Sequence, residues 1–172
     1  MNPRDAGLMY DADVRKIAGD SELRNSARIV RNAFRTVALE FGLTRINCPA
    51  HPSFLTIEHL RRLKEKGLAF FGLFLREVQV GLVAVEKADE SLYYMEKLAV
   101  LPVHRHQGYG KILVEHALDY AQRAGAGRVS IGIINEQAVL KDWYRDIGFV
   151  QTGTRTFTHL PFTVCFMEKL VR

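Results

Sequence analysis

Apolar residues recur at helical spacing early in the chain and in dense strand-like runs through its middle. Val30, Phe34, Val37 and Phe41 lie three or four residues apart, which gives one apolar face to a helix predicted from a Ser21 cap to about Phe41. Gly42 ends that helix. A short strand precedes it over residues 14–18, and residues 43–54, with Pro49 and Pro52, read as a loop. Thr56 caps a second helix through Lys66, stopped by Gly67. Residues 68–76, 79–87 and 92–100 are rich in Val, Leu, Phe and Tyr, and the breaks between them predict an antiparallel meander. Gly108 opens a helix to Ala124, with Ile112, Leu113, Ala117, Leu118 and Ala121 along one side. A strand over 128–134, a short helix over 137–147 and two last strands over 149–157 and 163–170 complete the chain. A meander followed by strand-helix-strand units predicts an α+β fold, a mixed and mostly antiparallel sheet with helices on both faces.

Composition narrows the class without naming the chemistry. The chain has 172 residues, 48% hydrophobic and 25% charged, and shows no repeat or low-complexity segment. That composition excludes a disordered, collagen-like or coiled-coil chain. One domain over 13–172, behind a loose arm over 1–12, accounts for the length. The longest strongly apolar run, residues 68–75, is too short for a membrane helix, which needs ~20 residues. The N-terminus lacks an apolar signal core, and Cys48 and Cys165 stand far apart without a C-x-x-C. A cytoplasmic protein with reduced thiols is the expectation. The net charge of +5 suits anionic partners in general.

The segment from Val100 to Lys111 leaves a strand and enters a helix through Arg105-His-Gln-Gly108-Tyr-Gly110. Free N–H groups in the first helical turn and the positive end of its dipole attract phosphate, and glycines let an anion approach the backbone. Leu113 breaks a dinucleotide fingerprint, and Arg105 and Ile112 break a P-loop. The remaining readings are a phosphate cradle or a ligand-free glycine helix start.

Arg105-x-x-Gly108-x-Gly110 resembles the [Q/R]-x-x-G-x-[G/A] motif of the GCN5-related N-acetyltransferases. The preceding Glu96-Lys-Leu-Ala-Val100-Leu-Pro102 is similar to that family's fourth strand and its exit. Asn135-x-x-Ala138 and Trp143-Tyr144-x-x-x-Gly148-Phe149 resemble its second block. The resemblance implies a three-layer acyl-CoA N-acyltransferase-like fold and acetyl transfer from acetyl-CoA to a primary amine by direct attack in a ternary complex. Acetyl-CoA would be a cosubstrate, with no metal. The alternative is a non-catalytic acyl-CoA sensor or interaction module of the same fold.

By the same resemblance, the acyl-CoA arm adds to two splayed strands, 92–100 and 128–134, like an extra strand. Main-chain groups of Leu98 and Val100 would hold the arm and the acetyl group. Arg105, His106, Gln107, Gly108, Tyr109, Gly110 and Lys111 would surround the pyrophosphate, mostly through backbone N–H. Asn135 would also face the cofactor. Tyr144 falls on the family's tyrosine position for protonating the departing thiolate; a phenol titrating near ~10 carries its proton at pH 7. Glu96 shares strand parity with Leu98 and Val100, so it faces their side in a regular strand, although a bulge would reset that parity. Glu96 is the candidate base, with Tyr94 one step farther and a water relay without any single base as the other reading.

Other constellations carry less. His104-x-His106 lacks further metal ligands at a suitable spacing. Cys165 has no patterned His partner beyond His159 nearby in sequence. Arg24, Arg28, Arg31 and Arg35 form one helical stripe, read as a solvated face or as a surface for acidic partners. Through residue 66 the chain has 12 basic and 8 acidic residues, so most of the charge excess sits there and not at the glycine turn. No zinc finger, RNP sequence or aromatic–basic alternation points to nucleic acid. The resemblance also implies that the loop between the first two helices borders the amine acceptor, which makes His51 and Phe54 candidates for touching it. The sequence does not identify that acceptor. Many relatives form homodimers, and no segment here marks an interface.

Overall fold

In the computed structural model, which describes residues 12–171, the apolar runs become a seven-stranded sheet between helices. The chain runs β1 (Ala12–Lys16), α1 (Asp20–Glu40), α2 (Ile57–Glu65), β2 (Ala69–Leu75), β3 (Val78–Lys87), β4 (Leu92–Val100), α3 (Tyr109–Arg123), β5 (Arg128–Ile134), α4 (Ala138–Ile147), β6 (Val150–Thr156) and β7 (Thr163–Leu170). Its strand order is β1-β2-β3-β4-β5-β7-β6, antiparallel except where β4 meets β5. The expected mixed, mostly antiparallel architecture is therefore present. The predicted loose arm lies outside the described residues except for Ala12, which already begins β1.

Period-two alternation sends successive β3 residues to opposite cores. Leu82 and Ala84 join Leu23, Ala27, Val30 and Leu60 of α1 and α2. Val83 and Val85 join Leu113, Ala117 and Tyr144 of α3 and α4. The central strand is thus buried on both faces, which explains why it reads as an unbroken apolar run. A third cluster packs the end of α1 against the far end of β5 and the β6–β7 turn, through Ala38, Leu43, Cys48, Ile134 and Leu160.

Ser21 is not the cap of α1. The N-cap is Gly19, and the Ala18 N–H donates to the Glu22 carboxylate at 3.2 Å. Thr56 caps α2 as predicted, its hydroxyl accepting from the His59 N–H at 3.2 Å. The loop between these helices contains a 3₁₀ turn at Pro52–Phe54 capped by His51. No helix among the described residues is long and apolar enough to cross a membrane.

Gly81 lets α3 lie close to the sheet. A Cβ there would stand 2.9 Å from Leu113 Cδ1 and 3.1 Å from the Ala99 carbonyl oxygen. Gly81→Ala should therefore destabilise the fold by about 1–3 kcal/mol. Calorimetric melting should show it as a Tm lowered by about 2–4 °C per kcal/mol.

Candidate active site

β4 and β5 pair in parallel only at Leu92, Tyr93 and Tyr94 against Arg128, Val129 and Ser130. Beyond that point the strands part. The apex is fastened by the Ser91 carbonyl, which accepts from the N–H groups of Gly127 at 2.8 Å and Arg128 at 3.1 Å. On its other side β5 stays paired with β7 over its whole length. Residues 95–100 and 131–134 thus face each other across a gap with no ladder between them. Peptide groups on such edges need water or a ligand as partner.

A bulge in β4 lies beside the apex. Ala84 pairs with Glu96 and Leu82 pairs with Ala99, so two β4 residues oppose one β3 residue between those pairs. Lys97 takes the left-handed conformation, φ 54°, within this bulge. The parity predicted for Glu96 is consequently broken. Glu96 follows Ala84 toward α1 and α2, whereas Leu98 and Val100 pack with the α3 and α4 core. The extra residue turns one strand's alternation over between positions 96 and 98.

Several titratable groups gather around Glu96. Its carboxylate pairs with the Lys97 ammonium, whose side chain is only 11% exposed. Burial and the Glu96 charge push the neighbouring Glu86 carboxyl up from its usual range. His59 of α2 is held low by burial and by the charges of Lys97 and Arg62. Glu86 was not a sequence candidate, although the register Glu86↔Tyr94 follows from a tight 88–91 turn. No sequence signal marks Lys97, because lysine seldom adopts positive φ.

At the wide end the glycine turn forms as expected. Gly108 is the N-cap of α3 with φ 85°, and His106 also has positive φ, 60°. The Ile112 N–H returns to the Gly108 carbonyl at 3.2 Å, so the N–H groups of Tyr109, Gly110 and Lys111 precede the first intrahelical bond. A Cβ on Gly108 would meet no atom within 4 Å, so the space above the turn is open. One on Gly110 would touch Trp143 at 3.4 Å.

The side chains of the turn divide sharply. Tyr109 is 2% exposed and belongs to the core, with His104 at the edge of its ring. Gln107 donates to the Val103 carbonyl at 3.4 Å, and exposed Lys111 stands 3.8 Å from Glu115. Arg105 points inward: its guanidinium donates to the Ala33 carbonyl at 2.6 Å, to Thr36 Oγ1 at 3.1 Å and to the Val100 carbonyl at 3.3 Å. Burial lowers its pKa, and no carboxylate offsets that effect. Arg105 therefore ties the glycine turn to α1, and its side chain does not reach out over the turn.

On α4, Tyr144 packs its ring against Trp143 and Phe149, and the Phe149 N–H closes the helix on the Tyr144 carbonyl at 3.0 Å. Burial pushes the phenol well above its usual range, which keeps it protonated. Asn135, just past β5, accepts from Lys141 Nζ at 2.8 Å, and its backbone N–H donates to the Thr163 carbonyl.

The weaker candidates resolve simply. His51 is buried, with Nδ1 2.8 Å from Ser53 Oγ and its ring edge on Phe34 and Phe54. Cys165 is fully buried in the main core. No group of three metal-ligating side chains occurs among the described residues. In the arginine stripe, Arg24 pairs with Asp20 and Arg31 donates to the Leu55 carbonyl, while Arg28 and Arg35 are exposed.

A model of the acetyltransferase (GNAT) family matches residues 37–149, from the last turn of α1 to the second residue after α4. Over 59 residues the chain is 37% identical to the streptothricin acetyltransferase of Streptomyces lavendulae, covering 34% of this chain and 31% of that protein. The chain spans about a third of the length of the curated relatives it matches. Among solved structures it resembles the ribosomal-protein-S18-alanine N-acetyltransferase of Escherichia coli, with a TM-score of 0.73 at 15% identity over 93% of this chain and 94% of that one. It also resembles yncA of Salmonella typhimurium with its cofactor acetyl-CoA, with a TM-score of 0.72 at 15% identity over 94% and 95% of the two chains.

The tether of Arg105 has a direct test. Arg105→Ala should loosen the turn by about 2 kcal/mol, the order of a hydrogen bond made by a charged donor. Hydrogen exchange at the Gly108, Tyr109 and Gly110 amides should speed up, and Arg105→Lys should restore only part of the protection, because a lysine cannot make the forked contact. Unchanged protection in Arg105→Ala would show that the guanidinium does not hold the turn.

Proposed function

The chain belongs to the acetyltransferase (GNAT) family, and on that premise we propose that it transfers an acetyl group from acetyl-CoA to a primary amine by direct attack in a ternary complex. The observation that carries this reading is the gap between β4 and β5, whose unladdered edges run from a fastened apex toward an open glycine turn. An extended chain of amides and a pyrophosphate fit that shape and polarity. The acetyl-CoA complex of yncA, which shares the fold, supports the same cosubstrate.

In the proposed site, main-chain groups of Leu98 and Val100 hold the pantetheine arm and the acetyl group by strand addition. A backbone N–H there stabilises negative charge developing on the thioester carbonyl oxygen. Backbone N–H groups from His106 to Lys111 cradle the pyrophosphate, helped by the N-terminal end of the α3 dipole. Arg105 contributes by position, through the turn it tethers. Asn135 borders the cofactor from the end of β5.

Acetyl-CoA supplies an activated thioester. The amine nitrogen forms a bond to the carbonyl carbon as the C–S bond breaks, and the thiolate takes up a proton. Tyr144 donates that proton; its buried phenol retains it until the sulfur develops charge. The proton lost by the amine passes toward Glu96, directly or by water, on the α1 and α2 side of the sheet. Glu86 and Lys97 set the charge around that carboxylate. A chain that binds acyl-CoA and transfers nothing is the second reading, which the buried tyrosine beside an intact glycine turn disfavours.

Titration calorimetry with acetyl-CoA should show binding that weakens at least about tenfold in Gly108→Trp, which strains a left-handed residue and fills the space over the turn. A folded wild type without binding would defeat both readings. Tyr144→Phe should lower the single-turnover acetyl-transfer rate by roughly 10²-fold, a usual size for general acid catalysis, and change acetyl-CoA affinity far less. An equal rate in the variant would remove the acid role.

A further inference from the structure

We propose that the acceptor is a small monoamine with an apolar, uncharged body, and that this body occupies a cavity at the open end of the β4–β5 gap; the inference rests on the acetyl-transfer reading above. The cavity, of about 460 Å³, lies between the α1–α2 loop and the β6–β7 turn and is lined by residues 46–50 and 158–161. Its place follows from what its walls touch. Cys48 of one wall and Leu160 of the other pack in one cluster with Ile134, the last residue of β5. Just past the second wall, the Thr163 carbonyl accepts from the Asn135 N–H at 2.9 Å. Both walls therefore meet the chain where β5 leaves the gap.

The lining carries no fixed charge. Residues 46–50 and 158–161 include no aspartate, glutamate, lysine or arginine. Ile46 is 95% exposed, a large apolar side chain without cover, and Pro49, Ala50 and Pro161 are exposed on the same lining. Burial pushes the Cys48 thiol up, so it stays neutral. The first wall spends most of its polar groups on itself. The Asn47 side chain accepts from the Thr44 N–H at 2.7 Å and donates to the Gly42 carbonyl at 3.0 Å. The Cys48 N–H donates to the Thr44 carbonyl at 2.9 Å, and the Cys48 carbonyl accepts from the His51 N–H at 3.0 Å. Exposed Thr158 and His159 supply the polarity of the second wall. Arg45 and Arg155 lie over the Phe54 and Phe157 rings, and neither lines the cavity.

Such a lining discriminates among amines by what they carry beyond the reacting nitrogen. A second ammonium would find no carboxylate there, and a carboxylate would find no lysine or arginine. Either charge would lose water without gaining an ion-pair partner. An alkyl or aryl body brings no such cost and gains by covering Ile46 and the prolines. The volume of about 460 Å³ lies toward the small end of the range of about 300–1,000 Å³ for small-molecule sites, which suits one ring or a short alkyl chain.

Hexylamine, 1,6-diaminohexane and 6-aminohexanoate share one chain length and differ only in the far group, and phenethylamine supplies an aryl body. Calorimetric titration of the CoA-saturated protein with each amine reads the cavity without transfer. Acetyl-CoA consumption at fixed pH and ionic strength reads the acceptor. Hexylamine or phenethylamine should bind at least about tenfold more tightly than both charged congeners, and lead them by a similar factor in kcat/KM, the order expected of one charge left without a partner. Ala50→Asp, which places a carboxylate at an exposed lining position, should narrow the lead over the diamine several-fold. The inference is overturned if a charged congener equals both apolar amines in either measurement, if the CoA-saturated protein binds neither apolar amine, or if Ala50→Asp leaves the lead over the diamine unchanged. Transfer selective for a charged amine overturns it and leaves acetyl transfer standing. A folded chain that takes up no CoA, or that binds an apolar amine and acetylates none of the four, defeats the acetyl-transfer reading and this inference with it.

Discussion

Parallel strands in one sheet ordinarily keep a ladder of peptide hydrogen bonds, and β4 and β5 abandon theirs after Tyr94 and Ser130. Unpaired backbone inside a fold is costly, so the parting must be held open by stronger contacts on either side. β3 holds β4 through a register that the bulge at Lys97 shifts by one residue. β7 holds β5 along all seven of its residues. Below, Tyr109 and Tyr144 from the helices that follow these strands share one core with Met95, Val100 and Ile131. The Ser91 carbonyl pins the apex, so the strands diverge from a fixed point. The result is a slot lined by main chain, complementary to a ligand that is itself a chain of amides.

Arg105 connects the slot to the glycine turn. Its guanidinium bonds the last residue of β4 and two residues of α1. A motif residue expected beside phosphate charge thus spends its side chain on two carbonyls and a hydroxyl of the protein itself. This division is physically sensible. A pyrophosphate can be held by oriented N–H groups without a nearby cation, which leaves the arginine for the longer span from turn to helix.

Much of this was legible in the sequence. The strands at 92–100, 128–134 and 163–170 were delimited to the residue, because apolar runs bounded by Pro, Gly and polar turns leave few registers. The glycine helix start and the tyrosine on the short helix were equally visible. What escaped depends on tertiary detail. Parity extrapolated from Val100 to Glu96 fails because the bulge falls on a lysine, a residue with no tendency to announce one. The inward turn of Arg105 depends on α1 lying beside the loop, 69 residues away from it at Thr36. Ser21 lost the cap of α1 to Gly19, where a glutamate reaches back to the preceding backbone.

The uneven spread of family likeness follows from the same physics. Where a ligand is held by main chain, side chains can vary while the fold persists; solved structures at 15% identity share this fold across nearly the whole chain. The family match ends at residue 149, before β6 and the turn that forms one wall of the cavity. The other wall, residues 46–50 of the α1–α2 loop, lies inside the matched span, so the two walls of this cavity stand on opposite sides of the boundary of family likeness.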